Sequence, residues 1–368
     1  MPAPSPTSTP AQAPATSPAQ TPQPLTFGVT LPESGLAKSL GMGLHRGIDL
    51  GLKEVNLVRS EQSLLPLSYL FEDSLCLDTE AARAVDILLS GATIKFIIGP
   101  VCGSAVKAAV QARRGTASVM LLPFSMDPSA MSDAQDTFRL WGDATSIVWN
   151  LTRMIKEKLS LDTIGLVSTK GPYGRSLADT FTQSARSRNI KIFPEAATDV
   201  LGGELRTTLH TVMNHNPKAI FLAMRTVDGA RVLDELNKMG AKGIKVIFGP
   251  GLSVPSSTQI VRDMDVYFPV GWSPWFGDDL SQSFVAAYKA EYGKKPTDEL
   301  PVWGYCAVKV MADALTRAGS DNPALVAQAL RETALDTPAG RITFDKLGRA
   351  DLPLKLLRFS QGRWSFIE

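Results

Sequence analysis

The chain has 368 residues, 44% of them hydrophobic, and a formal net charge of +2. That length supplies two domains with a core each, and so even a charge balance excludes a strong pull toward nucleic acid or anionic membrane. No apolar run approaches the ~18 residues of a membrane-spanning helix, and the three cysteines, Cys76, Cys102 and Cys306, include no CxxC pair, which excludes zinc-ribbon and thioredoxin chemistry.

Residues 2–24 are nearly all Pro, Ala, Ser, Thr and Gln. Such a segment has too little apolar surface to offset its ordering entropy and is expected to be disordered. No charged n-region followed by an apolar stretch precedes it. It reads either as a tether between a membrane anchor and a folded domain, its export signal removed, or as a cytosolic tail; the cysteine usage favours the tether.

From residue 25 strands and helices alternate. Leu25–Leu31 reads as a strand, and Leu40, Leu44, Ile48, Leu52 and Val55 then fall on one helix face. A strand at 65–71, a helix at 79–89, the continuous apolar run Ile94–Ile98, a helix at 104–114 and a strand at 118–122 follow. Past Trp141-Gly142 the cycle restarts. Strands are expected at 163–168, 190–193, 219–223 and 244–248, with helices at 175–188, 204–214 and 228–239, the last closed by Lys238 and Gly240. Helices at 281–292, 303–318 and 323–332 precede short strands near 342–344, 354–359 and 364–367. Tandem βα blocks predict an α/β protein with two doubly wound parallel-sheet lobes. Such sheets bind ligands beyond the carboxyl ends of their strands.

The strand-to-helix junctions contain no GxxxxGK[ST] and no GxGxxG. His45, His210 and His215 are scattered, no HExxH occurs, and no metal or cofactor is implied. Ser104-Ala105-Val106-Lys107 matches SxxK and Ser320-Asp321-Asn322 matches SDN, but KTG is missing. Asn322 before Pro323 reads as a helix start, so no catalytic residue and no enzyme activity are assigned. The junction Gly99-Pro100-Val101-Cys102-Gly103-Ser104 leaves a buried strand and enters a helix. Free N–H groups there form an anion site to which the Ser104 hydroxyl adds a donor; an ordinary capped turn is the alternative.

These pieces, in order, resemble the Leu/Ile/Val-binding family of periplasmic binding proteins with the type I fold. FGVTLPESG with Gly41 and Gly47 resembles its opening strand and first helix, and FEDSLCLDTEAARAV its acidic strand end, cysteine and helix. FIIGPVCGSAV resembles its ligand loop, LLPFSMDP its next junction, KGPYGRSLA the start of its second lobe and FGPGL its late loop. The resemblance implies three crossings between lobes, near 141–143, 270–274 and 335–338. Lobe 1 is then 25–141 with 273–335, lobe 2 is 142–272 with 336–368, and the ligand lies in the cleft between them.

It also implies a Cys76–Cys102 disulfide, with Cys306 free, and a monomer that hands a small-molecule ligand to an ABC transporter permease outside the cytoplasm. A sensor ectodomain or amide-responsive regulator on the same fold is the alternative. The ligand contacts carried over are Cys102, Gly103, Ser104, Phe124, Ser125, Met126, Tyr173, Arg225, Gly251 and Trp272. The sequence departs from the family at several of them. The family's serine is displaced to Ser104, its threonine is Met126, its ammonium-binding carboxylate is Gly251, and an aromatic position is Arg225. Arg225 pairs either with a ligand anion or with Asp228 on its own helix. An amino-acid clamp that has lost polar groups and gained a cation suits a carboxylate ligand with less need of an α-ammonium partner.

Overall fold

The computed structural model describes residues 24–91, 93–131, 135–251, 261, 263–351 and 354–367. The expected tether, apart from Pro24, and Leu252 of the late loop lie outside them.

Two sheets organise the chain. The first holds β1 (Leu25–Leu31), β2 (Leu67–Asp73), β3 (Phe96–Ile98), β4 (Val119–Leu122) and β5 (Thr137–Arg139), all parallel in the order β2-β1-β3-β4-β5. In the second, β6 (Thr163–Thr169), β7 (Lys191–Thr198), β8 (Ala219–Ala223), β9 (Lys245–Phe248) and β10 (Asp265–Val270) repeat that winding as β7-β6-β8-β9-β10. An antiparallel hairpin of β13 (Lys355–Ser360) and β14 (Arg363–Ile367) extends it beyond β10. The small hairpin β11 (Ala334–Thr337) and β12 (Gly340–Thr343) stands apart.

Helices cover both faces of each sheet. The first lobe carries α1 (Lys38–Glu61), α2 (Asp78–Leu89) and α3 (Gly103–Ala112), joined late in the chain by α8 (Asp279–Tyr292), α9 (Leu300–Ala318) and α10 (Pro323–Arg331). The second carries α4 (Ala144–Leu159), α5 (Pro172–Arg186), α6 (Leu205–Met213) and α7 (Thr226–Lys238). The all-buried β3 and β8 explain why their sequences are unbroken apolar runs: a parallel strand covered on both faces has no solvent side to alternate with. Helices α1 and α9 meet backbone to backbone. A β-carbon on Gly47 would overlap the Pro301 carbonyl, and one on Gly304 the Leu44 carbonyl, so glycine at both positions sets their separation.

The chain-order reading has no counterpart for α4, β5, β10 or β11. Strand β5 is three residues long and ends in Arg139, whose charge is buried against Asp143 at 2.7 Å. Strand β10 contains Pro269, which argues against a central strand. It is accommodated because β10 pairs with β9 only over 265–267, so the edge beside Pro269 needs no N–H on that side.

Three segments join the lobes. The first runs from β5 through Trp141 to α4, whose N-terminus Asp143 caps by accepting from the Ser146 N–H at 2.9 Å. The second leaves β10 through Gly271 and Trp272. The third comes later than expected. Residues 334–350 stay on the first lobe: Ile342 is in its core, Phe344 packs edge-on against Phe138, and Arg139 exchanges backbone hydrogen bonds of 2.8 Å with Gly348 and Ala350. The chain reaches the second sheet at Lys355, later than the expected crossing at 335–338 and the expected lobe 2 start at 336. The strand-like pairing of 348–350 with Arg139 holds the intervening residues back.

Candidate functional site

In both sheets the winding reverses beside the first strand, between β1 and β3 and between β6 and β8. Neighbouring loops at such a switch point leave in opposite directions and open a crevice at the carboxyl edge. The residues singled out from sequence gather at these two edges.

On the first lobe, Cys102 is the N-cap of α3 and no side chain caps that helix. The first-turn N–H groups thus have no intrahelical partner, and Ser104 beside them is exposed. The disulfide Cys76–Cys102, with α-carbons 5.4 Å apart, ties this loop to the one after β2; Cys306 is free and buried, and burial pushes its thiol up to about 11. On the adjacent strand end, Phe124 stacks on Trp141 at 5.9 Å, Ser125 is fully buried with its Oγ unpartnered, and Met126 lies partly buried against the core. The Met126 carbonyl accepts the Ala144 N–H at 3.0 Å, linking this loop to the start of α4 on the other lobe. Asp127, not singled out although it follows Met126 directly, lies next to Gly103. Its Oδ1 accepts the Ser129 N–H at 2.8 Å, and its Oδ2 is 3.8 Å from Lys107 Nζ.

On the second lobe, a hollow of about 500 Å³ opens among the ends of β6, β7 and β8. Tyr173 and Arg225 line it together with Lys170 and Thr198, neither of which is among the expected ligand contacts. The Tyr173 hydroxyl donates to the Pro250 carbonyl at 3.1 Å. Enclosure raises the phenol above its ordinary value and the Arg225 cation opposes that shift. Arg225 is mostly exposed, and its Nε donates to Asp228 Oδ2 at 3.2 Å, so the pairing within its own helix is the one formed here. Gly251 approaches Thr226 so closely that a β-carbon would overlap Oγ1. No acidic side chain fits at 251 without moving that residue.

Trp272, just past the end of β10, lines a small hollow with Gly251 and Trp275, and most of its ring is buried. It is 1% exposed, meets Phe284 edge-on at 5.4 Å, and donates its indole N–H to Ser281 Oγ at 3.2 Å. It belongs to the junction of the lobes. There Glu299, fully enclosed, accepts N–H groups of Gly271, Trp272 and the Trp303 ring through Oε2 at 3.2–3.3 Å. Loss of hydration pushes its carboxyl up to about 8 against these bonds. An acid just before an apolar helix reads as an ordinary helix start, so no sequence signal marks Glu299.

The two pieces of the penicillin-enzyme pattern do not meet. Ser104 follows β3, whereas Asp321 pairs with Lys95 at 2.8 Å just before β3 begins, at the opposite end of the sheet. Asn322 caps α10 by accepting the Ala324 N–H at 2.9 Å.

A family profile described as "Periplasmic binding protein" matches residues 24–363. The chain is 21% identical over 336 residues to the leucine-, isoleucine-, valine-, threonine- and alanine-binding protein of Pseudomonas aeruginosa, covering 90% of this chain and 88% of that one. Its fold is similar to the branched-chain amino acid transporter substrate-binding protein of Streptococcus pneumoniae in complex with isoleucine, with TM-score 0.78 and 18% identity over 93% of this chain and 98% of that one. It is similar also to an R. palustris ABC-transporter solute-binding protein in complex with benzoate, with TM-score 0.73 and 17% identity over 94% and 96%.

Proposed function

We propose, because the chain belongs to the periplasmic binding protein family, that it is an extracytoplasmic solute-binding protein delivering an amino acid or a small organic acid, aromatic acids included, to an ABC importer. The observation that carries this reading is the likeness over nearly the whole chain to proteins whose names state binding of amino acids or benzoate. We assign lobe 1 to 25–141 with 273–350 and lobe 2 to 142–272 with 355–367, and place the ligand between their carboxyl edges. The protein acts as a monomer, has no chemistry of its own, and meets the permease with both lobes.

Within the cleft, a ligand carboxylate meets the α3 N-terminus at Cys102, Gly103 and Ser104, beside Ser125. Phe124, Met126 and Tyr173 flank its apolar body. Gly251, crowded by Thr226, leaves the usual ammonium position without a carboxylate. An ammonium buried there unpaired loses several kcal/mol, so acids without an α-amino group bind better than leucine or valine. A thermal-shift screen of amino acids and of aliphatic and aromatic acids tests this. A true ligand at a hundred times its Kd stabilises by about 2.7 kcal/mol. Submicromolar leucine binding would overturn the preference, and no stabilisation by any amino acid or acid would overturn the function.

A further inference from the structure

Resting on the reading above, the geometry points to a second anion subsite on the lobe 2 wall: the ligand carries a second carboxylate, held in the hollow by Arg225, Lys170 and Thr198. Three independent features converge there. The hollow is framed by the N-termini of α5 and α7, and neither helix has a side-chain cap. Their free N–H groups favour negative charge. Thr198, on the same lining at the end of β7, is fully buried and its Oγ1 has no hydrogen-bond partner. A buried hydroxyl without a partner is uncommon, and an entering carboxylate oxygen would satisfy it. Two cations, Lys170 and Arg225, stand on the rim, and the Arg225 charge already acts on Tyr173.

Two acidic groups share the lining, and Arg225, mostly exposed, exchanges its Asp228 partner for the ligand carboxylate. Asp228 is shared between Arg225 and Arg231, at 3.2 and 3.8 Å, and Asp199 turns its Oδ1 to the Leu201 N–H at 3.0 Å. Lys170 is held by Glu204 at the surface, a pairing worth little against a ligand anion in the cleft. The hollow also extends past Tyr173 and Arg225 to residues 198–201, beyond the switch point itself. That gives room for the far end of an elongated diacid whose first carboxylate lies at α3.

The test is calorimetric titration of the whole chain with straight-chain α,ω-dicarboxylates of increasing length, each beside the monocarboxylate of equal carbon number. At one length the diacid is expected to bind at least about tenfold more tightly than its monoacid, the scale of one charged contact in a closed cleft. Arg225→Met, at an exposed position, and Thr198→Val, which keeps the side-chain shape, should each reduce that ratio toward one by weakening the diacid more than the monoacid. Equal binding of diacid and monoacid at every length, or equal weakening of both by Arg225→Met, overturns the second subsite and leaves the binding function standing. Failure of every monoacid, diacid and amino acid to bind overturns both.

Discussion

Glu299 shows what enclosure does to a single residue. Its carboxyl holds two segments together by accepting backbone N–H groups of Gly271 and Trp272, and burial raises its pKa from 4.5 to about 8. Asp298 beside it is also raised by burial, and its charge opposes ionisation of Glu299. The folded state therefore keeps a proton that the unfolded chain has released. Stability from this group is complete below about pH 4.5 and is lost as pH rises toward 8. Glu299→Gln retains an oxygen acceptor and cannot ionise. Thermal melts from pH 5 to 8 should fall less steeply for the variant than for the parent; parallel curves would remove Glu299 as the cause. At the same scale Gly251 and Trp272 mark the limits of reading residues in line. A missing side chain is visible in sequence, but its cause, contact with Thr226, is not. A tryptophan beside a crossing looks the same whether it faces ligand or core.

The elements were largely legible because apolar spacing records burial directly. The face of α1 and the runs of β3, β8 and β9 are examples. Strand β5 escaped because three residues ending in a buried arginine show no period, and β10 because its proline is tolerated only where β9 has already departed. Among loops, the one entering α3 is held by a covalent tie closing 26 residues of chain. In the chain-entropy model that tie contributes roughly 3–4 kcal/mol. The double variant Cys76→Ala/Cys102→Ala should lose stability of that order in denaturant unfolding, and thiol counting on the oxidised parent should find Cys306 alone. Three reactive thiols in oxidised protein would contradict the bridge.

At the scale of the whole molecule, two sheets of like winding, each with its own core, are joined by segments of which the first two pack on one another. A β-carbon on Gly271 of the second would overlap the Trp141 ring of the first, and Ser281 Oγ joins Trp272 to the Pro338 carbonyl. If the ligand closes the cleft, the lobes turn about this junction as rigid bodies with their interiors intact. Saturating ligand should therefore reduce the radius of gyration in solution scattering without changing far-ultraviolet circular dichroism; an unchanged radius would argue against closure around the ligand. The sequence by itself determined the alternation of elements and the two-lobe architecture. These are properties of local spacing and residue size, which survive along the chain. Only the tertiary structure decided that residues 334–350 stay with the first sheet, that Thr198 and Lys170 share a hollow with Arg225, and that Glu299 binds the junction. Each depends on residues distant in sequence meeting in space, where desolvation and shared hydrogen bonds, not local pattern, set the outcome.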